Sequence, residues 1–387
     1  MDLDTFERLL GPAGQALLAD VHACAGVESD LALGTRLRRS HDPALVAAAV
    51  SQNHLRGLAR AKFGPDADRM YFTHEALQQA TRGSVAAHRS ERLVQAGLRS
   101  ALDLGCGIGG DLLAFARAGL SARGVDLDPV RVRIAGQNVA ALGLQAQVRV
   151  ADATTVDRTG ADVCFIDPAR RDGGGRRFDP QACTPDWDFV SRLLDGAAAA
   201  KTAPGIDHGL VPGGVEAEWV SDGGDLVEAC LWGRPLATAR RRVTVLPAGA
   251  TLTEADLPDQ LPLGPVAGWL YEPEDAVGRA GLVAAVAQLV EGWLIDPHLA
   301  YVSSEQLVRT PFATAYAVLE ELPYREKQLR AALRERGIGT LTIKRRGVAV
   351  VPEVLRKRLA LRGDAAATLV LTRVAGEGRA LLVERLR

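Results

Sequence analysis

Cysteine is sparse in this 387-residue chain. Its five copies, Cys24, Cys106, Cys164, Cys183 and Cys230, are scattered, and none forms a Cys-x-x-Cys pair. An odd, dispersed set favours reduced thiols in a cytoplasmic protein over a disulfide framework or a zinc site. The seven histidines show no ligand spacing, so no metal site is expected. Long apolar runs are missing too. The longest candidate, Gly281–Ile295, is interrupted by Gln288 and Glu291, so no membrane span is expected. The chain starts MDLDTFERLL, without the basic-then-apolar order of a secretion signal.

What is present fits an ordered globular protein. Apolar residues make up 47% and the net charge is −1. The length exceeds one average core, so two or three domains are expected. The charge is unevenly spread. Between Tyr324 and Arg387, 16 Lys/Arg stand against 6 Asp/Glu, a balance of +10, while residues 1–323 carry −11. A basic end on an acidic body is the footprint of a protein that meets phosphate backbones. A solvated, arginine-rich face gives the same count.

Residues 1 to about 95 read as helical. Ala44–Ala61 places apolar residues at three- and four-residue spacing, and Asp42-Pro43 reads as a helix start. The texture changes at Ser100. Short strands at 101–104, Ala122–Val125, Val148–Val150 and Val163–Ile166 alternate with helices at Leu112–Ala118 and Pro129–Leu142, which indicates a parallel sheet. A loop signal, Gly173-Gly174-Gly175 with Arg176 and Arg177, precedes a helix expected over Asp186–Ala199. Glu216–Ser221 and Leu226–Trp232 flank Asp222-Gly223-Gly224-Asp225 as a hairpin, and Arg242–Leu246 is one more strand. Proline-bearing sequence then marks a boundary near 250. Beyond it lie helices at Arg279–Gly292, Lys327–Arg336 and Pro352–Leu361, and strands at Gly339–Lys344, Thr368–Arg373 and Ala380–Glu384. Asp296-Pro297-His298 reads as a helix-start turn. The expected domains are 1–95, 96–250 and 251–387.

The strongest chemical signal is the run Asp103-Leu104-Gly105-Cys106-Gly107-Ile108-Gly109-Gly110-Asp111, which follows a strand and opens a helix. Its glycines allow a sharp turn and close backbone approach to a ligand, and the helix start favours a carboxylate or phosphate. Gly105-x-Gly107-x-x-Gly110 also matches a dinucleotide fingerprint. Asp126, at the end of the second strand, would meet a ribose in either case. Three features favour S-adenosylmethionine. Asp103 puts an acid at the first strand tip, where it would meet an ammonium and repel a pyrophosphate. Asp152 follows the third strand, placed to accept from an adenine amine. Asp167-Pro168 follows the fourth, beside the expected methyl group.

These residues resemble the class I S-adenosylmethionine-dependent methyltransferases. Tyr71–Leu77, Asp103–Ala118 and Val125–Asn138 are similar to a bacterial family that pairs this fold with a C-terminal THUMP-like domain, and to trimethylguanosine synthase. The THUMP-like resemblance rests on Gly337–Lys344, Arg346-Gly347-Val348, Leu359–Gly363 and Thr368–Arg373. The implied fold is α/β: a Rossmann-like methyltransferase sheet, a helical N-terminal region and a small C-terminal α/β module. The implied cofactor is S-adenosylmethionine, contacted by Asp103, Gly105, Cys106, Gly107, Asp126, Leu127, Asp152 and Ala153.

Enzymes that methylate exocyclic amines carry Asn/Asp-Pro-Pro-aromatic after the fourth strand. Here the stretch is Asp167-Pro168-Ala169-Arg170, which keeps the acid and first proline and departs at the next two positions. Asp167, Pro168 and Arg170 are the catalytic candidates. Arg170 can stack on a base or pair with a phosphate, and an ordinary ion pair is the alternative. Arg171 is the next substrate candidate, with Phe72 as a pocket-lining aromatic or a core one. Lys344, Arg345 and Arg346 would contact RNA phosphates or form an exposed strand-end cluster. Cys106 is not read as a nucleophile, because no Pro-Cys follows the fourth strand. The leading reading is N-methylation of a nucleobase in RNA. A small-molecule or protein acceptor is the enzyme alternative, and non-catalytic nucleotide or RNA binding the third.

Overall fold

The computed structural model describes residues 1–24, 26–170 and 183–386. The chain divides into two compact units, Met1–Glu216 with Cys230–Thr238, and Ala217–Ala229 with Ala239–Arg387.

The first unit opens with six helices: α1 (Leu3–Leu10), α2 (Pro12–Ala23), α3 (Asp30–Leu37), α4 (Pro43–Phe63), α5 (His74–Gln79) and α6 (Gly83–Gln95). Helix α4 begins where Asp42-Pro43 announces it. The Asp42 carboxylate accepts from the Leu45 N–H at 2.9 Å, and Pro43 fills a first-turn position that needs no donor. The buried side of α4, including Leu45, Ala49, Gln52, Leu55 and Ala59, keeps the three-four spacing of a helix with one covered face.

The sheet follows, with β1 (Ser100–Leu104), α7 (Gly110–Arg117), β2 (Ser121–Asp126), α8 (Pro129–Ala141), β3 (Ala146–Val150), β4 (Val163–Ile166), β5 (Ala169–Arg170), β6 (Cys183–Thr184), α9 (Trp187–Leu193) and β7 (Ala198–Thr202). Strands β7-β4-β1-β2-β3 lie in that order, and every pairing among them is parallel. Strand β4 is buried at all four residues, as a strand covered on both faces must be. Parallel alignment brings the C-terminal ends of β1, β2, β3 and β4 to one edge. That edge receives Asp103, Asp126, Asp152 and Asp167.

The helix expected over Asp186–Ala199 is corrected: α9 stops at Leu193, and the alanine run enters β7, where Ala198, Ala199 and Ala200 are buried. Alanine's helix preference yields there to a place in the sheet beside β4.

In the second unit, β8 (Glu216–Asp222) and β9 (Asp225–Trp232) are neighbours joined through Gly223-Gly224, as the hairpin signal predicts. Their outer ends, Glu216 and Cys230–Trp232, count with the first unit. Strand β10 (Arg241–Leu246) runs parallel to β8, and β11 (Ala250–Thr253) antiparallel to β10. The remaining elements are β12 (Trp269–Pro273), α10 (Asp275–Ala280), α11 (Val283–Leu289), β13 (Trp293–Leu294), β14 (Val302–Ser304), β15 (Ala313–Pro323), α12 (Glu326–Glu335), β16 (Ile338–Arg345), α13 (Pro352–Leu359), β17 (Ala365–Val374) and β18 (Glu377–Arg385). Seven strands order as β13-β14-β12-β15-β18-β17-β16.

Period-two alternation gives this second sheet two buried faces. Leu369 and Leu371 of β17 join Leu329 and Leu333 of α12 and Leu355 and Leu359 of α13, while Val370 joins Tyr301 and Tyr316. The single helix expected at Arg279–Gly292 is corrected to two, because α10 ends in a left-handed cap at Gly281 (φ +69°). Asp296-Pro297-His298 is a turn closed by the Asp296 carboxylate, with no helix after it. Strand β15 was hidden in the sequence because a bulge between Val318 and Glu320 reverses its alternation midway.

Candidate cofactor and methyl-transfer site

Past β1 the backbone turns at Gly105 (φ +88°) and Gly107 (φ +55°), a region that favours glycine. An added Cβ at either position would meet no atom within 4 Å, so the loop has open space beside it. The Gly105 and Cys106 N–H groups both donate to the Val125 carbonyl, at 2.8 and 2.9 Å. The Gly107 N–H donates to Asp126 Oδ2 and the Asp128 N–H to Asp126 Oδ1, each at 2.9 Å. Asp126 therefore fixes the loop it borders, and each oxygen keeps a further lone pair for a ligand. Leu127 beside it is 64% exposed. The Cys106 thiol is buried, and burial with the nearby Asp103 and Asp126 charges pushes it well above its ordinary range, so it is no nucleophile.

Asp103 is 1% exposed, and its Oδ1 has no hydrogen-bond partner. Burial pushes its carboxyl well above the ordinary range, and the charges of Asp111, Asp167 and Asp126 push the same way, with Arg89 opposing. Asp111 is satisfied: it forms a buried ion pair with Arg89 and accepts from Thr81 Oγ1 at 2.8 Å. The Arg89 guanidinium lies 4.4 Å from the Phe165 ring centroid. The sheet edge thus gathers acids around one buried oxygen that has no hydrogen-bond donor among the described residues, and the nearby Arg89 cation is committed to Asp111.

Asp167 stands just past β4. Lys201 Nζ, at the end of β7, donates to Asp167 Oδ2 at 2.6 Å and to the Gln79 carbonyl at 3.3 Å. Lys62 Nζ donates to the carbonyls of Leu77, Gln78 and Ala80 at 2.8, 2.8 and 2.6 Å. Two lysines therefore hold four successive carbonyls at the end of α5. Burial and the charges of Lys201 and Arg82 lower the Lys62 ammonium to about 8. Sequence reading missed both lysines. A signal was there: the chain has five lysines among 46 basic residues, and residues 1–323 contain two, Lys62 and Lys201. A flexible ammonium with three donors serves converging carbonyls better than a planar guanidinium does.

The other candidates fall out unevenly. Asp152 is exposed after β3, accepts from the Thr154 N–H and Oγ1 at 2.8 and 2.7 Å, and is held below the ordinary range by those bonds. It is not among the charges acting on Asp103. Ala153 and Pro168 are half-buried. Arg170 ends the described stretch in β5, and Arg171, Arg176 and Arg177 lie outside the described residues. Phe72 is fully buried against Phe63, with ring centroids 5.7 Å apart, so it is a core aromatic here. Its neighbourhood is tied to the cofactor loop instead through Asn138, whose Nδ2 donates to the Tyr71 and Ile108 carbonyls at 3.1 and 3.0 Å.

In the second unit, Lys344 is committed to an internal pair with Glu272 at 2.5 Å, Arg345 is exposed, and Arg346 lies 3.7 Å from Asp275. The basic run is not three equal surface cations. No group of three or more His, Cys, Asp or Glu among the described residues could hold a metal ion, and no described helix is long and apolar enough to cross a membrane.

A methyltransferase-domain family model matches residues 101–167, a THUMP-domain-like model 313–385, and a model for a domain of unknown function 2–59. Two curated relatives, from Mycobacterium tuberculosis strains CDC 1551 / Oshkosh and ATCC 25618 / H37Rv, are uncharacterised S-adenosylmethionine-dependent methyltransferases. Each is 40% identical over 309 residues, covering 78% of this chain and 84% of the relative. The chain belongs to the S-adenosylmethionine-dependent methyltransferases. The fold of this methyltransferase is shared with a crystal structure from Porphyromonas gingivalis W83, itself proposed as a methyltransferase, at a TM-score of 0.76 and 21% identity over 96% of this chain and 98% of that one.

The cofactor of this methyltransferase is S-adenosylmethionine, and the site's chemistry fits it. The ligand carries an ammonium and a sulfonium, which a buried carboxyl with one unpartnered oxygen, set among acids, can accommodate. Its carboxylate suits a glycine turn that leads into a helix start.

Proposed function

We propose that this methyltransferase N-methylates a nucleobase amine in RNA, in the cytoplasm. The cofactor supplies a methyl group already activated on a sulfonium, so the protein's task is to orient the acceptor and manage its proton. Asp103 takes the cofactor's ammonium. Gly105, Cys106 and Gly107 frame the methionine end, Asp126 and Leu127 receive the ribose and one side of the adenine, and Asp152 with Ala153 the adenine amine.

The observation that carries the acceptor reading is Asp167. Lys201 occupies its Oδ2, while its Oδ1 has no partner among the described residues. A carboxylate with one open oxygen accepts an N–H and holds the amine lone pair towards the methyl group. Pro168 shapes the turn, and Arg170 and Arg171 meet the base or its phosphate. Phe72 supports the wall from behind. Residues 96–250 do the chemistry, 1–95 brace it, and 251–387 bring RNA through Arg345 and Arg346, with Lys344 holding that strand.

Radiolabelled transfer from S-adenosylmethionine to RNA, protein and small-molecule fractions of cells lacking the enzyme tests this. Label should enter RNA, and Asp167→Ala should cut transfer by about a hundredfold or more while S-adenosylhomocysteine still stabilises the variant. Unchanged turnover would sink the role of Asp167. Label only in another fraction would favour the second reading, a small-molecule or protein acceptor, for which the missing aromatic at position 170 speaks.

A further inference from the structure

The second unit has a cavity of its own, of about 510 Å³, lined by α10, the start of α11, the 297–300 turn and the residue after β16. Its lining divides by chemistry. Arg279, His298 and Arg346 are the basic groups, Asp275 is the acid, and Leu294 and Leu299 belong to an apolar wall. Arg346 faces the cavity beside His298, with Asp275 as the one carboxylate of the lining.

These groups are held in place. The Arg346 N–H donates to the Leu371 carbonyl at 3.0 Å, and its guanidinium sits 5.6 Å from the centroid of the buried Tyr301 ring. Its carboxylate neighbour Asp275 is 3.7 Å away and 73% exposed, a loose pair that a better anion can displace. The turn bearing His298 is pinned by Asp296, a buried acid. Its Oδ1 accepts from the His298 N–H and its Oδ2 from the Gly376 N–H, both at 3.0 Å. Leu299 then packs on Gly347, where any Cβ would come within 2.6 Å of Leu299 Cδ1. A buried carboxylate with both oxygens spent on backbone donors keeps such a loop in one shape, which is the preorganisation a binding site needs.

We propose that this cavity binds the phosphate of a nucleotide, with Arg346 on the phosphate oxygens and the nucleoside against His298 and the apolar wall. A planar guanidinium fork matches phosphate geometry, and the volume far exceeds one phosphate. The site stands independently of which molecule accepts the methyl group. A free mononucleotide and the phosphorylated 5′ end of an RNA strand offer the same chemistry.

The test is calorimetric titration of the full-length protein, its cofactor site saturated with S-adenosylhomocysteine. The probes are AMP, adenosine, and RNA oligonucleotides with a 5′-phosphate or a 5′-hydroxyl. AMP should bind at least tenfold tighter than adenosine. Arg346→Gln should weaken AMP at least tenfold. Gly278→Asp should do the same, since it adds an acid at an exposed lining position where a Cβ meets nothing within 4 Å. Neither variant should alter S-adenosylhomocysteine binding. A 5′-phosphorylated oligonucleotide that outbinds AMP, with its 5′-hydroxyl counterpart weak, makes the strand end the source; AMP equal or better makes it the free nucleotide. Equal binding of AMP and adenosine, or full AMP affinity in Gly278→Asp, overturns the proposal.

Discussion

Asp103 at the tip of β1 and Lys344 on β16 are both ionisable side chains, the first buried and the second partly so, and the fold treats them oppositely. Lys344 meets Glu272 at 2.5 Å, and Glu272 also accepts from the Tyr301 and Tyr316 hydroxyls at 3.4 and 3.1 Å. That charge is completed inside the second unit. Asp103 keeps a buried oxygen without a donor and faces three other acids. A structural charge finds its partner within the fold, because an unserved buried charge is costly. A binding charge is left for the ligand to complete. The count of basic residues in the C-terminal stretch could not make this distinction; the partners make it.

The contrast can be broken by turning a completed acid into an orphan. Arg89→Ala would strand Asp111 beside Asp103, and should cost about 3–5 kcal/mol of unfolding free energy in denaturant titration. A loss below about 1 kcal/mol would mean that buried acids at this edge need no partner. A smaller effect sharpens the comparison at the acceptor side. Lys201→Met should lower methyl transfer about tenfold, ~1.4 kcal/mol in the transition state, with S-adenosylhomocysteine binding kept and Lys201→Arg restoring part of the rate. Full turnover in the Met variant would show that Asp167 needs no cation. The smallest effect belongs to the completed pair. Lys344→Met with Glu272→Gln should leave stability within about 1 kcal/mol of the parent, less than Lys344→Met alone costs, because partly exposed pairs contribute little once both members go. A double variant worse than the single one would contradict that.

How much of this was legible in the sequence follows from distance along the chain. The cofactor loop was readable because its acids and glycines lie within nine consecutive residues, and the strand-helix alternation around it fixed the fold class. The Asp167–Lys201 pair was not, since the two residues are 34 positions apart and meet only because β4 and β7 are parallel neighbours. The alanine run of β7 read as helix because propensity carries no record of sheet position. Phe72 stood in a stretch resembling a methyltransferase motif, yet pattern alone does not separate a pocket wall from the packing behind it. The bulge in β15 erased the one periodic signal that strand had.

The account turns on Asp103 as the partner of the cofactor's cation. Calorimetric titration of wild-type and Asp103→Asn protein with S-adenosylhomocysteine, across pH values above the ordinary carboxylate value of about 3.9, measures this directly. Because the folded carboxyl is raised, the free protein holds that proton longer than the unfolded chain, so wild-type stability without ligand falls as pH rises through this range. The ligand's ammonium favours the ionised form. Wild-type affinity should therefore tighten with rising pH, while the Asn variant binds at least tenfold more weakly with a flat profile and a free protein no less stable. Equal affinities, or the same pH slope in both proteins, would contradict the assignment.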